Sequence, residues 1–261
     1  MNPARSLLVC ASLTLFGCAH RASSPAAAAS APSAPSVTLR AIGDGVWLHT
    51  SMHHVEGMGL FPSHGLVIEG PSELLLVDTA WGPAETRDLL AQVRARFGRL
   101  PSAAIVTHWH DDRVGGLAEL HAVHIPVYAT AATAALVAAH GGGSFDGELS
   151  TPLDRRTLAG TEIEVFFPGA AHTLDNVVVW LPSRALLFGG CMIRPAGSRA
   201  LGNLADADVA AWPASAQRVA ERYASARVVV PSHGEPGDSA LLTHTVELAR
   251  AATTQPSSDA H

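Results

Sequence analysis

From Val37 onward, short apolar runs alternate with stretches of helical period, and Gly, Pro and Asp punctuate the joints. Val46-Trp47-Leu48-His49 and Gly65-Leu66-Val67-Ile68 read as strands. The segment Met52 to Phe61 between them holds Glu56-Gly57-Met58-Gly59, the composition of a hairpin tip. Glu73-Leu74-Leu75-Leu76-Val77-Asp78 reads as a buried strand ending on an acid. Pro83 opens a helix with Leu89, Leu90, Val93 and Phe97 on one face, and Gly98 closes it. Ala103-Ala104-Ile105-Val106 is the next strand, and Thr130 to His140 is an Ala-rich helix closed by Gly141. Later strands are Ile163 to Phe166, Val177 to Trp180, Ala185 to Phe188 and Val228 to Val230, with helices near Pro213 to Tyr223 and Ala240 to Ala251. The elements fall in two groups, roughly 38–140 and 160–255, with no Pro/Gly/Ser linker between them. The pattern predicts one α/β domain over 38–255, built of two halves with sheets inside and helices outside, and a short tail at 256–261.

The first residues have a different character. Arg5 precedes the apolar run Leu7 to Phe16, too short for a permanent membrane span but suited to the core of a signal peptide. The run ends in Leu15-Phe16-Gly17-Cys18, which resembles a bacterial lipobox, so residues 1–18 are expected to be a signal peptide with Cys18 as the lipidated residue. Cleavage among the small residues just downstream is the alternative, and either route exports the protein to the periplasm. Ala19 rather than Asp after Cys18 favours the outer membrane as the anchoring site. Residues 19–37 are Ala/Ser/Pro low complexity, a tether with nothing to bury.

Composition sharpens the picture. Of 261 residues, 48% are hydrophobic and 15% charged, which is enough apolar material for a sizeable core and excludes global disorder. A formal net charge of -6 with no basic cluster argues against nucleic-acid binding. Against 14 His there are 3 Cys, and only Cys191 remains once Cys10 and Cys18 go with processing. A lone exported thiol cannot form an internal disulfide, and metal ligation is a leading explanation for it.

Spacing shows where the metal would sit. Ala104-Ile105-Val106-Thr107 runs into His108-Trp109-His110-Asp111-Asp112. Val165-Phe166-Phe167 runs through Pro168-Gly169-Ala170-Ala171 into His172, Leu186-Leu187-Phe188 through Gly189-Gly190 into Cys191, and Val228-Val229-Val230 through Pro231-Ser232 into His233. Each apolar run ends in small or turn-forming residues and then a transition-metal ligand, so strand ends at one rim would bring four imidazoles, a carboxylate and a thiolate together. A single His after a strand is more often structural than a ligand, but four such endings in one chain are not. Six donors suit two zinc ions with three protein ligands each and an open position, whereas closed structural sites lean on paired CxxC spacing, absent here. His121, His124, His140 and His244 sit on or beside helices and read as surface or packing residues; His53 and His54 fall on the hairpin flap.

The segment Thr107 to Gly116 resembles the signature of the metallo-β-lactamase superfamily. Arg113 stands where many members place a His, and Cys191 where they place a bridging Asp, which makes the set similar to class B β-lactamases of the first subclass, VIM-type enzymes especially. Leu76 to Gly82, Pro168 to Asn176, Gly189-Gly190-Cys191 and Gly202-Asn203-Leu204-Ala205-Asp206-Ala207 extend the likeness over nearly all of 38–255. The resemblance implies an αββα four-layer sandwich of two mixed β-sheets with helices on the outer faces. It implies His108, His110 and His172 on one zinc and Asp112, Cys191 and His233 on a second. The reaction implied is hydrolysis of the β-lactam amide bond of penicillins, cephalosporins and carbapenems by a metal-bound hydroxide, with no covalent acyl-enzyme. Asp112 and Asn203 are the implied catalytic residues, Asn203 polarising the carbonyl. Arg194, where many relatives carry Lys, or else Arg199, would grip the substrate carboxylate. Asp78 would orient a ligand, and Arg113 would pair with an acid beneath the metals. Val55, Met58, Leu60 and Phe61 make the flap apolar, suited to a hydrophobic substrate side chain. The implied partner is a small-molecule β-lactam, the membrane is met only through the N-terminal lipid, and a monomer is expected. The alternatives are another hydrolase of the superfamily, such as a thioesterase, or a non-catalytic zinc-binding envelope lipoprotein.

Overall fold

The computed structural model describes residues 36–57 and 59–254. The expected leader with Cys18, the tether up to residue 35, Met58 and the tail 256–261 lie outside the described residues. Among the described residues no helix is long and apolar enough to cross a membrane.

The larger sheet has seven strands in simple order: β1 Val37–Gly43, β2 Val46–Val55, β3 Gly59–Glu69, β4 Leu74–Val77, β5 Ala103–Ile105, β6 Val127–Thr130 and β7 Gly147–Leu149. It is antiparallel from β1 to β4 and parallel from β4 to β7. The smaller sheet runs β12-β11-β10-β9-β8, with β8 Leu153–Leu158, β9 Thr161–Phe166, β10 Val178–Leu181, β11 Leu186–Gly190 and β12 Val228–Pro231. Only its β11–β12 pair is parallel.

Alternation along each strand sorts residues into layers. In β4, Leu75 and Val77 point between the sheets, while Leu74 and Leu76 point to the outer helices. In β11, Leu186 and Phe188 join the inter-sheet core and Leu187 the other outer layer. The outer layer of the larger sheet is closed by α1 Pro83–Phe97, through Leu89, Leu90 and Val93, and by α3 Leu117–Ala122, through Leu117 and Leu120. On the smaller sheet α5 Trp212–Arg222 and α6 Ala240–Thr254 bury Trp212, Val219, Leu242 and Val246. The result is the αββα sandwich. α1 has Pro at its start and the left-handed Gly98 (φ 69°) at its end, as the sequence predicts. Two helices completing the set are α2 Asp111–Val114, between strand β5 and α3, and α4 Ala131–Ala139, capped by the Thr130 hydroxyl. β1 starts at Val37, which is fully buried, and Val37 N and Ser36 Oγ both donate to Asp88 of α1.

Candidate metal centre

The donor residues occupy strand ends at one rim. His108 and His110 lie in the turn between β5 and α2, and Asp112 is in the first turn of α2. His172 follows β9, Cys191 follows β11 and His233 follows β12. The structure brings all six together. Donor atoms of His108, His110 and Asp112, of His108, His172 and Cys191, and of Asp112, Cys191 and His233 each lie within 4.8 Å of one another. His110 Nδ1 is 3.2 Å from His172 Nε2. Cys191 Sγ is 3.5 Å from both Asp112 Oδ2 and His233 Nε2, and His233 Nε2 is 3.3 Å from Asp112 Oδ2.

The orientation of the rings fits a metal. His108 Nε2 is buried with no hydrogen-bond partner. His110 gives its Nε2–H to Asp206 Oδ2 at 3.0 Å, which turns the Nδ1 lone pair inward. His233 donates from Nδ1 to the Pro62 carbonyl at 2.7 Å and faces the cluster with Nε2. Imidazole, thiolate and one carboxylate are the donors a borderline-soft cation such as zinc selects. Electrostatics prepare the same set. Burial disfavours the charged form of Asp112, but Arg113 and His233 outweigh it and hold the carboxyl well below its usual range. Burial and Asp112 push the Cys191 thiol up, yet Arg113, His233 and His108 prevail, and its pKa falls well below the ordinary thiol value.

Beneath the rim lies a buried polar floor. Asp78 sits at the end of β4 with φ 63° and accepts from Thr107 N at 2.8 Å and Thr107 Oγ1 at 2.9 Å. It therefore braces the turn carrying His108 through Thr107, its other partner being Arg113 rather than an imidazole. Arg113 is fully buried; it donates to Asp78 at 2.9 Å, to Asp112 at 2.6 Å, to the His64 carbonyl at 2.6 Å and to Ser63 Oγ. Arg113 thus lies between two buried acids, Asp78 and Asp112. Burial pushes Asp78 up to about 6 even with Arg113 beside it.

Substrate-side residues surround the donors. Arg194 is half-buried, its Nε has no partner, and a Cβ on Gly202 would lie 3.1 Å from its guanidinium. Asn203, next to that glycine, is exposed and its Oδ1 accepts from Ala205 N at 3.1 Å, leaving the amide NH2 to donate outward. Arg199 is exposed on the same loop. On the flap, Phe61 lies 5.1 Å from the His233 ring and Leu60 is 67% exposed. Trp81 joins this wall, 6.1 Å from His233 and stacked on His53. Asp206, Ser63 and the Pro62 carbonyl are the contributors that the sequence did not announce. Asp206 lies 96 residues from the His110 it holds, and no local pattern marks such a contact.

A four-layer sandwich with an open His/Asp/Cys donor cluster at the seam of its sheets is the framework of a metal-dependent hydrolase. The chain belongs to the Metallo-beta-lactamase superfamily, which it matches over residues 58–233. It is 38% identical over 212 residues to "Metallo-beta-lactamase type 2" of Bacillus cereus, covering 81% of this chain and 82% of that protein. It is 39% identical over 215 residues to the protein of the same name from Pseudomonas aeruginosa, covering 82% and 85%. The solved structure of a metallo-beta-lactamase from Pontibacter korlensis superposes with a TM-score of 0.79 at 40% identity, covering 82% of this chain and 99% of that one.

Proposed function

We propose that the protein hydrolyses the amide bond of β-lactam antibiotics with two zinc ions, as a class B enzyme of the first, VIM-like subclass, and thereby confers resistance. The convergence of six donors in three overlapping triads carries this reading. By the resemblance, His108, His110 and His172 would hold one ion and Asp112, Cys191 and His233 the other, the latter three forming one of those triads. When bound, zinc supplies Lewis acidity, polarising a carbonyl and bringing the pKa of water from 15.7 to about 7.

The chain's own residues do the rest. Arg194 binds the substrate carboxylate through a guanidinium that has no carboxylate partner among the described residues. All 17 Lys+Arg residues are Arg, so the Lys of many relatives has no counterpart and the anchor is a guanidinium. Arg194, backed by Gly202 and adjoining Asn203, fits that role better than the exposed Arg199. Asn203 donates its amide to the carbonyl oxygen as charge develops there. Asp112, held ionised by Arg113, keeps an acceptor in the centre for a proton. Phe61, Leu60 and Trp81 cover an apolar substituent and exclude water. Export to the periplasm as a monomer, with anchoring through Cys18, completes the proposal and rests on the leader sequence alone.

The test is a panel of penicillins, cephalosporins and carbapenems, with a glutathione thioester as the superfamily control, assayed with and without chelator. Chelator-sensitive β-lactam turnover that Cys191→Ser and His110→Ala reduce by orders of magnitude is expected. Turnover that survives both substitutions, or turnover confined to the thioester, refutes the reading.

A further inference from the structure

Four imidazoles contribute to the donor cluster, and each ligating ring needs a partner for its outward nitrogen. His110 has Asp206, His233 has the Pro62 carbonyl, and His108 Nδ1 lies 3.5 Å from Thr107 Oγ1. His172 is the exception. Its Nε2 faces His110 within the cluster, while its Nδ1 is buried without a partner.

Three residues further on is Asp175, 1% exposed, with neither carboxylate oxygen partnered among the described residues. An unpaired buried carboxylate is costly, and a native fold retains one where it serves a purpose. Thr173 Oγ1, between the two residues, is also buried and unpartnered. The turn that carries all three is well fixed: Thr173 N donates to Asn176 Oδ1 at 3.0 Å, and Asn176 Nδ2 to the Gly169 carbonyl at 3.1 Å. One short turn therefore holds a ring nitrogen needing an acceptor, two oxygens needing donors and a hydroxyl able to do either. These are partners enough for a buried water.

We propose that Asp175 is the positioning residue for His172: across one buried water its carboxylate accepts the Nδ1–H of that imidazole and turns Nε2 toward the metal. It fixes the tautomer of His172 and makes Nε2 a stronger donor, as Asp206 does directly for His110. The proposal rests on the two-zinc reading above. It separates the two ions, because Asp175 supports the three-histidine site and leaves the Cys191 site alone.

The experiment uses the intact protein stripped of metal, with Asp175→Ala and Asp175→Asn. Zinc affinity is measured by competition with a chromophoric chelator, and cobalt(II) is bound in parallel. Cobalt ligand-field bands report the imidazole site, and the thiolate-to-cobalt band reports Cys191. Asp175→Ala should weaken the three-histidine site by about 10–100-fold, with the thiolate band unchanged. Asp175→Asn keeps volume and one acceptor and should lose less. It also carries the test should the alanine variant not fold. Affinities within twofold of the parent in both variants, or a parallel loss of both cobalt signals, overturn the role of Asp175. A parent protein that binds no zinc overturns the two-zinc reading instead.

Discussion

Arg113→Ala removes the guanidinium that, alone among the described residues, serves the floor of the site. Arg113 is fully buried and serves Asp78, Asp112, the His64 carbonyl and Ser63, so its loss strands two buried carboxylates at once. Breaking a buried pair by deleting one partner costs about 3–5 kcal/mol. That is a large part of the roughly 5–15 kcal/mol of a whole domain. At a urea slope of about 2–3 kcal/mol per molar, the midpoint of the metal-free variant should fall by about 1–2.5 M. The loss should also depend on pH. Burial holds Asp78 at about 6 with Arg113 present, above the usual carboxylate range, and it rises further without the cation. An acid whose folded pKa exceeds its unfolded value binds more protons in the fold, so stability falls as pH rises between the two. The variant should therefore be least stable at and above neutral pH and recover as the solution is acidified toward 4–5 (about the unfolded range). Urea unfolding followed by far-UV circular dichroism at several pH values is the assay. A midpoint within about 0.3 M of the parent at pH 7, with unchanged slope, would refute the account of Arg113 as the counter-charge of this floor.

Other substitutions test other parts. Asp206→Ala removes the acceptor of His110 Nε2–H and should lower zinc affinity by about 10–100-fold with little change in melting temperature of the metal-free protein; an unchanged zinc titration counts against it. Glu164 accepts from Arg155, Arg222 and Tyr223; burial opposes its charge, but these partners hold it at about 2, below the usual carboxylate range. The stabilisation is present above the ordinary carboxylate range and lost as pH falls toward 2, so Glu164→Gln should flatten the acid limb of a stability-against-pH curve. Gly65→Ala would set a Cβ 2.2 Å from His49 Nε2 and 2.4 Å from the Val77 carbonyl, a clash that should cost about 1–3 kcal/mol and is measurable as a lowered thermal midpoint.

The donors were legible because strand, small-residue turn and ligand repeat locally, as in Phe188-Gly189-Gly190-Cys191. The layers were legible where both faces of a strand are buried, as in β4 and β12, whose apolar runs are continuous. Other elements had no such signal. β8 reads Leu-Asp-Arg-Arg-Thr-Leu, an edge strand with Arg155 exposed and Arg156 partly so, each salt-bridged to an acid, and its composition is that of a loop. α2 and α3, at 4 and 6 residues, are too short for a helical period to register. β6 and β7 form only by pairing alongside β5 in the completed sheet. Asp206 and Ser63 entered the site through contacts 96 and 49 residues away, which only the fold creates.

His108, His110 and Asp112 hang from a strand of the larger sheet, while His172, Cys191 and His233 hang from strands of the smaller one. A cation gripped by both works as a rivet through the mouth of the sandwich. By mass action, zinc at a thousand times its dissociation constant would fasten the halves by about 4 kcal/mol. Starving the protein of zinc would then do more than silence it: the mouth would gape more often, and survival among proteases would track the supply of metal.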